Sequence, residues 1–167
     1  SSKLSGNHLS PGDEVKTKLD FVVFEITTDC NLDCRYCYNI WKMPGAEYAR
    51  RNSYRKARKA LRKLFDRADV LQVTMSGGEP FLSERFPELV LFCRMKGAGV
   101  VIISNGNAAT IEDYRQMTGM GVNLFEIPFH SVDPAEHDFL TRMPGSREKS
   151  LQSIRDLLSL GAGVVPV

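Results

Sequence analysis

The sequence contains no long apolar run. Its longest uninterrupted stretches, Leu89 to Cys93 and Val100 to Ile103, are far too short to cross a bilayer. Its polar start, Ser1-Ser2-Lys3-Leu4-Ser5-Gly6, has no hydrophobic segment of the kind a secretory signal needs. A soluble, cytoplasmic chain without a membrane partner is therefore expected. Neither sign of charge is in excess: 22 Lys and Arg stand against 20 Asp and Glu, a net +2, which favours no particular partner. No phosphate-binding P-loop, complete dinucleotide fingerprint or nucleophile elbow occurs, so His130, Ser131 and Asp133 are too local a group to read as a hydrolytic triad. Internal repeats, low-complexity tracts and internal linkers are also lacking. Cysteine is scarce, with four in all, yet Cys30, Cys34 and Cys37 fall within eight residues. Without a secretory signal, such clustering reads as metal binding rather than a disulfide framework.

What is present is a single domain's worth of core. The 167 residues are 43% hydrophobic, and a chain of this size can bury about 70% of its unfolded surface. Short apolar runs alternate with amphipathic segments from Leu19 onward. Strands are predicted at Leu19–Ile26, Val70–Met75, Val100–Ile103, Val122–Phe129 and from Gly163 on. Helices are predicted at Ser53–Ala68, Phe86–Lys96 and Thr110–Met120, and from Ser146 to about Leu160. Asp133-Pro134-Ala135-Glu136 has an N-cap, an N1 proline and an N3 glutamate in order, and so opens one further short helix. Alternating strands and helices imply an α/β fold with a parallel sheet or barrel, in which ligands gather at the carboxyl ends of the strands. The cysteine cluster follows strand one and Gly77-Gly78-Glu79-Pro80 follows strand two. Ser104-Asn105-Gly106 follows strand three and Phe129-His130-Ser131 follows strand four. Four polar loops thus share one rim.

Cys30-x-x-x-Cys34-x-x-Cys37 puts three thiolates in one loop, chemistry that suits an iron–sulfur cluster or zinc. A four-iron cluster held by three cysteines keeps one iron for a non-protein ligand. The alternative is a zinc knot completed by Asp29, Asp33 or a histidine, with the cluster the favoured reading of the triplet. Cys93, on the apolar face of a helix, reads as a buried small side chain.

The run Cys30-Asn31-Leu32-Asp33-Cys34-Arg35-Tyr36-Cys37, followed by Met75-Ser76-Gly77-Gly78-Glu79-Pro80, resembles the radical S-adenosylmethionine (SAM) superfamily. The resemblance implies a partial, open (βα) barrel of parallel strands, with Cys30, Cys34 and Cys37 holding a [4Fe–4S] cluster whose fourth iron is chelated by SAM. It implies Tyr36 near the adenine, and Gly77, Gly78 and Glu79 receiving the methionine amino group. Ser104-Asn105-Gly106 resembles a Thr-Asn-Gly found after strand three. After strand four many members carry Ser-x-Asp-Gly. Pro128-Phe129-His130-Ser131 departs from that pattern, which removes the serine contact and leaves His130 as a candidate for SAM or substrate. Arg142 falls where related enzymes place an arginine near the SAM carboxylate. The stretch from His130 to Ser146 is similar to peptide-modifying members, which usually carry a C-terminal domain of the SPASM type.

The function so implied is reductive cleavage of SAM to a 5′-deoxyadenosyl radical that abstracts hydrogen from a substrate, a peptide, protein or small molecule. A reductase or a flavodoxin- or ferredoxin-type carrier would supply the electron. The rival reading is a zinc- or cluster-binding structural module, or a SAM-binding fragment without turnover. Residues 50–67 carry nine basic residues and one acid, a solvated helix face or a docking surface for an acidic carrier, peptide or nucleic acid. Nucleic acid is not the expected partner. Residues 1–18 are expected to be a flexible segment and 19–167 the radical SAM core. Against the family's usual six-unit barrel the chain stops inside its fifth strand. That and the Ser1 start fit the SAM-binding part of a longer enzyme.

Overall fold

A computed structural model describes residues 16–39 and 53–167. Five parallel strands form one sheet in the order of the sequence: β1 (Thr17–Glu25), β2 (Ala68–Ser76), β3 (Gly99–Ile103), β4 (Leu124–Ile127) and β5 (Gly163–Pro166). Helices α1 (Tyr54–Arg67), α2 (Phe86–Met95) and α3 (Ile111–Gly119) connect the first four strands in turn. The pair α4 (Pro134–Thr141) and α5 (Ser146–Ser159) leads to the fifth. The expected open α/β sheet of parallel strands is present. The first 15 residues of the expected N-terminal segment lie outside the described residues, but Thr17 and Lys18 already belong to β1. Strand β4 is shorter than the apolar run predicted. Val122 is used to close α3, donating to the Met117 carbonyl, and Pro128 has no N–H to extend the ladder.

The core lies between the sheet and its helices. Ala57, Leu61 and Phe65 of α1, Leu89, Val90 and Cys93 of α2, and Tyr114 and Met117 of α3 are buried against Val73, Met75, Ile102, Phe125 and Ile127 of the strands. The helical periodicity read from the sequence predicts these faces because positions three and four apart share one side of a helix. On α1 the opposite face exposes Arg55, Lys56, Lys59, Arg62, Lys63 and Arg67. Arg50 and Arg51, counted with that basic run, lie outside the described residues.

Local caps set where the functional loops begin. Asp133 accepts from the N–H groups of Ala135 and Glu136, as its position before Pro134 predicts. Glu136 does not close a capping box, because its carboxylate takes the Ser131 hydroxyl instead. The α5 N-terminus has no cap of its own: Gly145 sits at φ 80° and Asp138, from α4, accepts from the backbone N–H groups of Gly145 and Arg147. Asp138 therefore fastens α4 to α5, and its carboxyl lies below the usual range under the hydrogen bonds it accepts from Arg147, Gly145 and Ser146, against a desolvation effect that raises it.

Candidate SAM and cluster site

The four loops that follow β1 to β4 meet around one pocket. Its wall includes Cys30, Cys34, Tyr36 and Cys37 from the first loop, and Gly77 and Gly78 from the second. Ser104 and Asn105 come from the third loop, and Pro128 and His130 from the fourth. Nine of the eleven residues singled out from the sequence thus line it. Glu79 and Arg142 do not, for different reasons.

The first two loops are held together by backbone. The Gly78 N–H donates to the Thr27 carbonyl at 2.7 Å, and the Glu79 N–H to the Asp29 carbonyl at 2.7 Å, which extends the β1–β2 pairing toward the cysteines. This explains the two glycines. Gly77 has φ 141°, and a Cβ there would lie 2.5 Å from the Thr27 carbonyl oxygen; at Gly78 a Cβ would lie 2.2 Å from that of Asp29. The close approach that demands glycine is that of the chain's own backbone. Gly78→Ala should therefore push back the segment entering Cys30. The expected cost is about 1–3 kcal/mol of stability, with a lower yield of reconstituted metal centre, measurable by denaturant unfolding and iron content.

Glu79 is a keystone beneath the site. Its carboxylate is fully buried and accepts from the Ser104 hydroxyl at 2.9 Å, the Asn105 N–H at 2.8 Å and the Phe81 N–H at 3.2 Å. It thereby ties the loop after β2 to the loop after β3. Burial pushes its pKa up to about 7, against the opposing effect of those three hydrogen bonds. In this structure its carboxylate serves the neighbouring loop rather than the pocket wall, which leaves the glycines as that loop's pocket-facing part. The third loop reaches the cysteines through Asn105, whose Nδ2 donates to Asn31 Oδ1 at 2.9 Å and toward Cys30 Sγ at 3.7 Å. Asn31 Nδ2 in turn donates to the Asn107 carbonyl. Asn31 lies among the spacers of the cysteine motif, where only its amide chemistry hints at a role.

The cysteine loop also rests on the end of α4. The Arg35 N–H donates to the Leu140 carbonyl at 2.8 Å and its Nε to the Phe139 carbonyl at 2.9 Å. Cationic capping of carbonyls at a helix C-terminus is favourable there. Arg142, expected near the SAM carboxylate, instead ends α4 at φ 55° and donates to Asp33 at 2.8 Å on the outer side of the loop. Both partners are well exposed, so the pair adds little stability. It anchors the loop rather than lining the pocket.

Part of the wall is aromatic and joins the first loop to the fourth. The Tyr36 hydroxyl hydrogen-bonds His130 Nε2, and the two rings lie 4.3 Å apart. Burial raises the Tyr36 phenol far above its ordinary value; a hydrogen bond with Cys34 and the charges of the three cysteines add to the effect. Burial lowers His130, which favours the neutral ring. His137, Thr141 and Ser150 also face the pocket; the sequence placed the first two only within the stretch similar to peptide-modifying members, and Ser150 only within a helix. Among the described residues, no three His, Cys, Asp or Glu side chains converge tightly enough to hold one metal ion, and no helix is long and apolar enough to cross a membrane.

Comparison with known proteins gives this site its context. The family model of the radical SAM superfamily matches residues 24–166. The AdoMet-dependent heme synthase of Nitratidesulfovibrio vulgaris is 30% identical over 84% of this chain and 37% of its own length. The PqqA peptide cyclase of Xanthomonas oryzae is 36% identical over 81% of this chain and 34% of its own. The chain thus spans about a third of the length of the curated relatives it matches. Among solved structures, Streptococcus suis SuiB bound to precursor peptide SuiA has a TM-score of 0.70 at 17% identity, covering 89% of this chain and 32% of SuiB. Native anSMEcpe with bound AdoMet likewise has a TM-score of 0.70, at 13% identity, covering 87% of this chain and 42% of its own. These two likenesses speak for the fold. Motif, parallel sheet and family match coincide on the same rim, and the chain belongs to the radical SAM superfamily.

Proposed function

We propose that this chain binds a [4Fe–4S] cluster through Cys30, Cys34 and Cys37 and binds SAM beside it, for reductive cleavage and hydrogen abstraction from a peptide substrate. The observation that carries the reading is the meeting of all three cysteines, the Gly77-Gly78 turn and an aromatic wall on one pocket. Three thiolates on one pocket, with the Asn105 amide beside Cys30, suit a cluster. Tetrahedral zinc, with Zn–S near 2.3 Å, would draw its thiolates to roughly 4 Å from one another, whereas a cluster places each cysteine on a different iron. The Asn105 amide, aimed at Cys30 Sγ, is the kind of donor that tunes a cluster thiolate.

When bound, the cluster would supply one electron and SAM the 5′-deoxyadenosyl group that carries the radical. The chain's own part is positioning. Backbone pairing of Gly78 and Glu79 with Thr27 and Asp29 fixes the cysteine loop against the glycine turn. Tyr36 and His130 present ring faces and edges to a flat base. The half-buried, apolar Ile103 and Pro128 side of the pocket would limit water around the reacting bond. A peptide substrate is supported by the named actions of the PqqA peptide cyclases, and by SuiB, whose structure contains a precursor peptide. The exposed basic face of α1 supports an acidic one-electron carrier, of the flavodoxin or ferredoxin type, as donor.

Anaerobic reconstitution with iron and sulfide, then incubation with SAM and a strong reductant, tests the proposal. Formation of 5′-deoxyadenosine and methionine is expected. A purified protein that holds zinc and takes up neither iron nor sulfide would leave the structural-module reading in its place.

A further inference from the structure

On the reading that Cys30, Cys34 and Cys37 hold a cluster, we infer that Asn105 is a positioning residue for the metal centre rather than a contact to SAM. Its side-chain amide donates to the Cys30 thiolate and so raises the potential at which the centre accepts an electron.

Every polar proton of Asn105 is committed within the protein. The backbone N–H goes to Glu79 Oε2 at 2.8 Å. Of the two Nδ2 protons, one meets Asn31 Oδ1 at 2.9 Å and the other is directed at Cys30 Sγ at 3.7 Å. An amide nitrogen carries just these two, so none is left for the carboxylate, hydroxyl or ring-nitrogen acceptors of a bound SAM. The other end of the amide fixes its orientation, because Oδ1 accepts the Asn107 N–H at 2.8 Å. Turned over, the amide would set its oxygen against the Cys30 sulfur and its nitrogen against the Asn107 N–H.

The anchorage extends beyond the side chain. The Asn105 carbonyl accepts from Asn107 Nδ2 at 2.8 Å and from the Ser150 hydroxyl at 3.1 Å. Asn31 Nδ2 closes the ring of amides by donating to the Asn107 carbonyl at 3.1 Å. Asn105 is thus held by the loop after β2, by its own loop and by α5, and presents one proton to the first cysteine. Reduction adds a negative charge to a cluster and its thiolates. A donor on a ligand sulfur stabilises that more negative state the more strongly, which makes the electron easier to accept.

Redox titration of the reconstituted chain without SAM, followed by electron paramagnetic resonance, tests the role in three variants. Asn105→Ala removes both Nδ2 protons. Asn105→Asp keeps the shape and the acceptor for the Asn107 N–H but places a carboxylate beside the thiolate. Asn31→Ala removes the amide's other partner and leaves the bond to Cys30. Asn105→Ala should shift the one-electron equilibrium about tenfold against reduction, a fall of ~59 mV, and Asn105→Asp should shift it further; Asn31→Ala should shift it less than about threefold. The affinity of the oxidised Asn105→Ala chain for SAM should stay within about threefold of wild type. An unchanged potential in either Asn105 variant, or equal shifts in Asn105→Ala and Asn31→Ala, would overturn the inference. So would a large loss of SAM affinity at an unchanged potential, which would return Asn105 to the ligand. Loss of iron from both Asn105 variants would make the residue a structural support and overturn the tuning role. A wild-type chain that takes up no iron would defeat the cluster reading itself, and the inference with it.

Discussion

Replacing Cys34 by alanine should abolish assembly of the metal centre, with iron and sulfide falling to background after reconstitution. In the proposed cluster each thiolate holds a different iron, so two cannot substitute for three, and no other described cysteine is within reach. The remaining one, Cys93, is buried in α2, and burial pushes its thiol up to about 12. A neutral, enclosed thiol of that kind is a poor ligand. Cys93→Ala is therefore the matched control: it should cost about 1 kcal/mol of stability for a small lost side chain and leave iron content unchanged. Normal iron content in Cys34→Ala would contradict the ligand assignment. Equal iron loss in both variants would point to a folding defect instead.

Glu79→Ala should lower stability by about 3–5 kcal/mol. The change strands three donors, the Ser104 hydroxyl and the N–H groups of Asn105 and Phe81, and each unpaired buried group costs roughly 1–3 kcal/mol. For a domain of this size the melting temperature should fall by about 10 °C or more. Glu79 also gives stability a pH dependence of predictable sign. Its folded pKa, raised to about 7 from an ordinary 4.5, means that the folded state holds the proton more tightly than the unfolded chain. The resulting stabilisation is complete below about pH 4.5 and is lost as pH rises through about 7, amounting to ~3 kcal/mol by linkage. His130 and His137, both lowered by burial, act in the opposite direction near the ordinary histidine range. The wild type must therefore be compared with Glu79→Gln, in which the carboxyl titration is gone and the histidine contribution remains. A difference between the two that is flat from pH 4.5 to 7.5 would contradict the buried carboxyl's role.

The sheet was legible in the sequence because its determinants are local. The apolar runs of β2 and β3 and the periodic faces of α1 and α2 each need only a few residues' pattern. The shared rim followed from the alternation of strand and helix, since parallel connections bring every strand's exit to one side. Roles that depend on pairing across loops were less visible. Glu79 reads as a ligand-facing acid by its place after two glycines, yet its partners come from Ser104 and Asn105, 25 and 26 positions away. Arg142 falls in the expected region, but a left-handed helix end turns it toward Asp33. His137 was legible only as part of the His130-to-Ser146 stretch that is similar to peptide-modifying members. Its contact with Ser146 lies nine residues on, across the α4–α5 turn.

The most direct test of the account is electron paramagnetic resonance of the reconstituted, reduced chain before and after addition of SAM. The account predicts the signal of a reduced [4Fe–4S] cluster whose g-values shift when SAM binds, and no such signal from the Cys34→Ala variant. A protein that contains zinc and gives no signal, or a cluster signal that SAM leaves unchanged, would contradict it.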